Sequence, residues 1–181
     1  MDLNIAKISL NNENNRDLNI KLHHNYFRFK CQRCASFCCK LGGPPISEKD
    51  IKRIEREGYK TDDFLLQPLI DSRFKGRFLE YKAAMKSRED GSCFFLRFNK
   101  KMNLYGCLIY DYRPTLCRLY PFELEKVNAN SLLLKVIPSC RGLNASDGEQ
   151  VDEKFITKHL LDIIMEHLEI KGITLRKGYV E

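Results

Sequence analysis

The chain has 181 residues, 43% of them hydrophobic and 30% charged, with a mean hydropathy of −0.42. That balance describes a globular chain and excludes a disordered one. No apolar run reaches the roughly 18 residues a membrane helix needs, and the first 22 residues lack the apolar core of an export signal, so the expected setting is the cytoplasm, with no membrane partner. The formal charge of +7 invites a nucleic-acid reading, but it counts every cysteine as neutral. Metal ligation consumes thiolates. Two zinc ions on eight thiolates would lower the charge to about +3, and one iron–sulfur cluster on four to about +5. Nucleic acid is therefore not the expected partner; a protein partner or substrate is left open.

In chain order, residues 1–22 are Asn-rich and read as an N-terminal extension, with NIAKISL (4–10) a short edge strand. Residues 23–45 hold a dense cysteine cluster and end in Gly42-Gly43-Pro44-Pro45, which opposes both helix and ladder. Ser47 then fits a helix N-cap, with Asp50 as its capping-box partner and Ile46 and Ile51 as a hydrophobic staple. The spacing predicts a helix over about 48–57, stopped at Gly58. Thr61-Asp62-Asp63 predicts a second N-cap and a short helix through Phe64, Leu65 and Leu66. Residues 73–86 suit strand or helix. Residues 93–98 and 104–110 flank a polar turn and predict a hairpin. Residues 112–121 suit a helical turn with Pro114 at its first position, and 122–127 with 131–137 flank Asn128-Ala129-Asn130, a second hairpin. Apolar residues at Val151, Phe155, Ile156, Leu160, Ile163, Ile164 and Leu168 recur at helical spacing over 151–169. The expected architecture is α+β: an extension (1–22), a cysteine-cluster domain (23–145), and a C-terminal helix (146–181) packed on that domain.

Eight cysteines in 181 residues, about 4%, lie below the roughly 8–10% of a disulfide scaffold. In a reducing compartment they point to metal. The candidate ligands are Cys31, Cys34, Cys38, Cys39, Cys93, Cys107, Cys117 and Cys140. Cys31-x2-Cys34 is a chelate bite. Cys38 and Cys39 are adjacent; in an extended backbone their side chains would diverge, so they would serve two metals or split between ligand and packing. The other four come singly and must converge from distant elements; for Cys107 or Cys140 the competing reading is a buried thiol. A two-knuckle zinc ribbon fails because only one CxxC is present, and the radical-SAM spacing is reversed. His23-His24, His159 and His167 read as solvated. Arg113, Arg118 and Arg141, each within four residues of a cysteine, are either charge balance for a thiolate site or surface ion pairs. Tyr110, Tyr112, Tyr120 and Phe122 either cover the site or pack a core.

The segment Cys31-Gln32-Arg33-Cys34-Ala35-Ser36-Phe37-Cys38-Cys39, the Pro45-Ile46-Ser47 helix start, Gly91-Ser92-Cys93-Phe94-Phe95-Leu96, the run CLIYDYRPTLCRLYPF (107–122) and Cys140-Arg141-Gly142 together resemble the YkgJ-like cysteine-cluster family, a zinc- or iron-chelating domain. The resemblance covers residues 27–145 and all eight cysteines. One departure is an extra residue between Cys34 and Cys38, where many members read CxxCxxCC. The family also includes flagellin lysine-methylating enzymes, which the resemblance links to an iron–sulfur centre. The chain carries no glycine-rich SAM-binding loop, so methylation stays an alternative. The expected function is cysteine coordination of an iron–sulfur cluster, of the 4Fe–4S type, in a redox or accessory role. Structural Zn2+ binding, or a SAM-dependent lysine methylase-like enzyme, are the alternatives. Zinc and iron both accept four thiolates, so spacing alone leaves the metal open.

Overall fold

The computed structural model describes residues 3–10, 18–23, 27–35, 38–66 and 81–167. In chain order the elements are β1 (Asn4–Leu10), β2 (Leu18–Leu22), β3 (Arg28–Phe29), β4 (Pro45–Ser47), α1 (Glu48–Glu55), α2 (Thr61–Phe64), β5 (Leu65–Leu66), β6 (Tyr81–Met85), β7 (Leu96–Asn99) and β8 (Leu104–Cys107). A 3-10 turn at Tyr110–Tyr112 precedes α3 (Thr115–Leu119), followed by β9 (Phe122–Asn128), β10 (Ser131–Val136), β11 (Glu149–Gln150) and α4 (Glu153–His167). The class is α+β, with helices beside several small antiparallel sheets.

Packing divides the chain into two compact units. The first comprises Met1–Lys30, Pro121–Pro138 and Leu143–Glu181. Its sheet has the order β2-β1-β10-β9, so β1 is an interior strand and the expected edge position belongs to β2. The reason is burial: Ile5, Ala6, Ile8 and Leu10 are all buried, and a strand that hides so many side chains gains by pairing on both sides. β9 and β10 form the predicted hairpin, whose turn is held by the Asn128 carboxamide accepting from the Asn130 N–H at 2.9 Å. Val151, Phe155, Ile156, Leu160, Ile163 and Ile164 are buried as the helical spacing predicted; Leu168 lies outside the described residues. Phe155 meets Phe122 and Phe29 edge-on.

The second unit comprises Cys31–Tyr120 and Ser139–Gly142, and all eight cysteines belong to it. Its core gathers Ile46, Ile54, Phe64, Met85, Phe95 and Ile109 with the Cys93 thiol. Around Phe95 the rings of Tyr59, Phe64 and Phe94 stand 5.0–5.6 Å away between centroids. β4-β6-β5 form a three-stranded antiparallel sheet, so Tyr81–Met85, the described end of the ambiguous 73–86 segment, is a strand; residues 73–80 lie outside the described residues. The close approach of Gly43 to β6 requires glycine: a Cβ there would stand 2.1 Å from the Met85 carbonyl oxygen. β7 and β8 form the other predicted hairpin. The second helix is shorter than expected. Lys60, rather than Thr61, is its N-cap, and Leu65–Leu66 turns into β5 to pair with β6.

The predicted capping box at Ser47 is present, and it reaches further than a helix cap. Asp50 is only 1% exposed. Its carboxylate accepts from the Ser47 hydroxyl (2.9 Å), the Thr115 N–H (3.1 Å), the Thr115 hydroxyl (2.8 Å) and the Arg53 guanidinium. One buried carboxylate thus joins the N-terminus of α1 to that of α3, the helix that carries Cys117.

Replacing Asp50 with Ala strands these donors in a buried site, and the expected loss is about 3 kcal/mol of unfolding free energy. Urea denaturation measures it; a loss below about 1 kcal/mol would show that the junction does not hold the two helices.

Candidate metal centre

Each cysteine sits on a different kind of support. Arg33, between Cys31 and Cys34, and Ala35, just after Cys34, adopt left-handed backbone (φ +49° and +55°). Cys38 and Cys39 open the turn at residues 38–41. Cys93 precedes β7, Cys107 ends β8, and Cys117 lies within α3. Cys140 lies in the four-residue segment Ser139–Gly142, which returns to this unit after the β9–β10 hairpin. All eight are free thiols.

The expectation for the vicinal pair rested on an extended backbone, and the turn removes that premise. Cys38 and Cys39 point the same way, with Sγ atoms 3.7 Å apart and the Cys39 thiol donating to Cys38. Two ligands about 2.3 Å from one tetrahedral ion stand about 3.8 Å apart, so this pair has the bite of a chelate. The Cys39 carbonyl accepts the Cys93 N–H at 2.7 Å, tying the turn to the next cysteine.

A second regularity runs through the singles. In three cases the backbone N–H two residues on lowers the thiol's pKa: Phe95 at Cys93, Ile109 at Cys107, and Gly142 at Cys140. Such N–H···S contacts favour thiolate over thiol and orient the sulfur before any metal arrives.

The thiols fall into two groups by mutual electrostatics. Cys38, Cys39, Cys93, Cys107 and Cys117 act on one another. Hydrogen bonding from Cys39 holds the Cys38 thiol down at about 7, while the same bond and burial push Cys39 up. Burial, then the neighbouring sulfurs, pushes Cys117 up. Burial first, then neighbouring sulfur, raises Cys93 and Cys107 as well. Arg113 opposes the rise at Cys107 and Cys117 and adds to the lowering at Cys38, which favours its charge-balance reading. Its guanidinium lies 3.8 Å from the Tyr110 ring centroid, and its Nε donates to the Tyr110 carbonyl at 2.8 Å.

Cys31, Cys34 and Cys140 form the second group. Burial, partly offset by the Gly142 N–H and the Tyr120 hydroxyl, raises Cys140, and Cys34 and Cys31 add to the rise. Tyr120 is raised by burial and by Cys140, and it also feels Cys38 and Cys34, which places its hydroxyl in the field of both groups. The sequence marked Tyr120 only as aromatic cover; its polar end was missed, because no spacing rule pairs a tyrosine with a cysteine twenty residues on. Arg88, whose charge acts on Cys93, was also missed.

The histidines fall in chain segments of the first unit. His23 belongs to the first unit, and His159, in the same unit, pairs with Glu149 at 2.9 Å. The side chains of His24 and His167 lie outside the described residues. No three His, Cys, Asp or Glu side chains among the described residues are arranged to hold a metal ion as they stand. The donor chemistry nevertheless fits a soft metal: the donors are sulfur, mostly half-buried, and the charge of Arg113 favours their thiolate form.

Residues 30–141 match the family described as the putative zinc- or iron-chelating domain, with the signature CxxCxxCC. The chain belongs to this family. The match takes in every cysteine from Cys31 to Cys140. An uncharacterized protein of Methanocaldococcus jannaschii is 30% identical over 144 residues, covering 78% of this chain and 72% of its own. No solved structure matches the chain. Family membership supports metal binding through these cysteines. No helix among the described residues is long and apolar enough to cross a membrane.

The pair at Cys38 and Cys39 gives a direct check. In metal-free, reduced protein, Cys38 should alkylate faster at pH 7 than the buried Cys93. Its rate should climb through about pH 7 and level off above, following the thiolate fraction. Mass-spectrometric mapping of iodoacetamide labelling reads this; equal rates at the two sites would contradict it.

Proposed function

We propose that this chain holds an iron–sulfur cluster of the 4Fe–4S type and serves a redox or accessory role in the cytoplasm. The observation that carries the reading is a sulfur-only pair tied to a third cysteine: the Cys38 and Cys39 Sγ atoms stand 3.7 Å apart, and the Cys39 carbonyl accepts the Cys93 N–H at 2.7 Å, within the matched chelating domain. Four thiolates suffice for one such cluster, and hydrogen bonds to the sulfurs, burial and nearby charge are the means by which a protein sets its potential. Cys38, Cys39, Cys93, Cys107 and Cys117 supply four ligands and one spare. When bound, the cluster supplies one-electron transfer. The chain's own residues exclude water through the Phe95 core, offset charge through Arg113, and hold a proton at the Tyr120 hydroxyl.

A structural zinc ion is the second reading, favoured by the 3.7 Å separation of Cys38 and Cys39, which suits two ligands on one ion. A methylase-like activity has no such support, since no glycine-rich SAM-binding loop stands in the sequence.

Anaerobic purification with metal analysis and an absorption spectrum tests the proposal. The expected protein is brown, with about four irons per chain, and the double variant Cys107→Ala/Cys117→Ala, left with three thiols of the five, loses most of the iron. A colourless protein carrying zinc, or a double variant with full iron content, would overturn it.

A further inference from the structure

The β7–β8 hairpin carries a surface that the metal site does not account for. An open groove of about 520 Å3 runs along it, lined by Arg97, Phe98, Lys100, Lys101, Cys107 and Leu108, with Asn99 and Gly106 between them. No acidic residue lines this groove. Phe98, Met102, Leu104 and Leu108 are exposed, Met102 at 62%, so large apolar side chains stand in water next to three cations. Solitary exposed apolar residues are ordinary, but four on one hairpin mark a contact surface.

We propose that this groove docks an acidic, apolar segment of a partner protein beside Cys107. Charge complementarity selects an acidic occupant, and the exposed aliphatic side chains select one that also carries apolar residues. A second copy of this chain is disfavoured, because the surface is basic and the chain carries +7. Single-stranded nucleic acid would need free aromatic faces for its bases. Here the Tyr105 ring is occupied by the Lys40 ammonium at 4.4 Å and by Phe98 at 4.9 Å between centroids, and the neighbouring Tyr110 ring by Arg113 and Arg33. The aromatic faces are taken and the aliphatic ends are free, which suits a peptide better than a base. The docking surface rests on the metal reading only where it treats Cys107 as a ligand: a partner seated here lies against a sulfur of the five-thiol group, where electron or metal exchange has its shortest path.

The hairpin offers a variant at an open position. Nothing stands within 4 Å of where a Cβ at Gly106 would lie, so Gly106→Leu adds bulk to the groove lining from a position with room for its Cβ. The probe is a fluorescein-labelled twelve-residue peptide of alternating Glu and Leu, followed by anisotropy with the purified protein. The expected result is saturable binding that falls at least tenfold in Gly106→Leu and in Lys100→Glu/Lys101→Glu, with metal content unchanged in both. Equal binding by the variants would overturn the proposal. So would an all-Glu peptide, a single-stranded oligonucleotide or anionic phosphatidylglycerol vesicles binding as tightly as the Glu/Leu peptide. Metal content is read on the same samples. Groove-dependent peptide binding by protein without iron or zinc would support the docking surface and remove only the metal reading.

Discussion

Sulfur crowding is the constraint around which the cysteine unit is organised. Five thiols lie in one another's field, and thiolates so placed repel. Such a group is stable either with its protons on or with a cation among the sulfurs. Burial favours the protonated form, as at Cys93 and Cys117, while the N–H groups of Phe95 and Ile109 and the charge of Arg113 favour the thiolate. Groups that stabilise thiolate are of no use to a thiol that only packs. Their presence beside these half-buried sulfurs supports the metal reading.

The sulfurs lie on distant parts of the chain, and few devices tie together the segments that carry them. Asp50 pins α3, and with it Cys117, to α1 through Thr115. Gly43 lets the chain press against β6 directly after the Cys38–Cys39 turn. The Cys39 carbonyl catches the Cys93 N–H, and the segment carrying Cys140 returns after a hairpin that belongs to the other unit. A metal bridging such segments would act on folding stability as well as on chemistry.

Local chemistry was the part of the fold most legible from residues alone. The Ser47–Asp50 box, the two hairpins and the buried face of α4 each depend on neighbours within a few positions, and each was read correctly. What was misread depends on distant partners. β1 looked like an edge strand because its second neighbour, β10, lies more than 120 residues away. Leu65 and Leu66 looked helical because their partner β6 is not adjacent in sequence. At the site, the cysteines themselves and Arg113 could be named from spacing. The bite of Cys38 and Cys39 could not, since it depends on a turn where an extended chain was assumed. Nor could the N–H···S contacts, because a backbone donor leaves no mark on the residue type: Phe95, Ile109 and Gly142 share none.

The family to which the chain belongs is described as a putative zinc- or iron-chelating domain, and the proposed function narrows that description to one site: a metal held by sulfur alone, drawn from Cys38, Cys39, Cys93, Cys107 and Cys117. X-ray absorption at the metal K edge of the purified protein tests that claim most directly. The account predicts a shell of sulfur neighbours at about 2.3 Å and no lighter ligand. Nitrogen or oxygen neighbours at about 2.0–2.1 Å would contradict it.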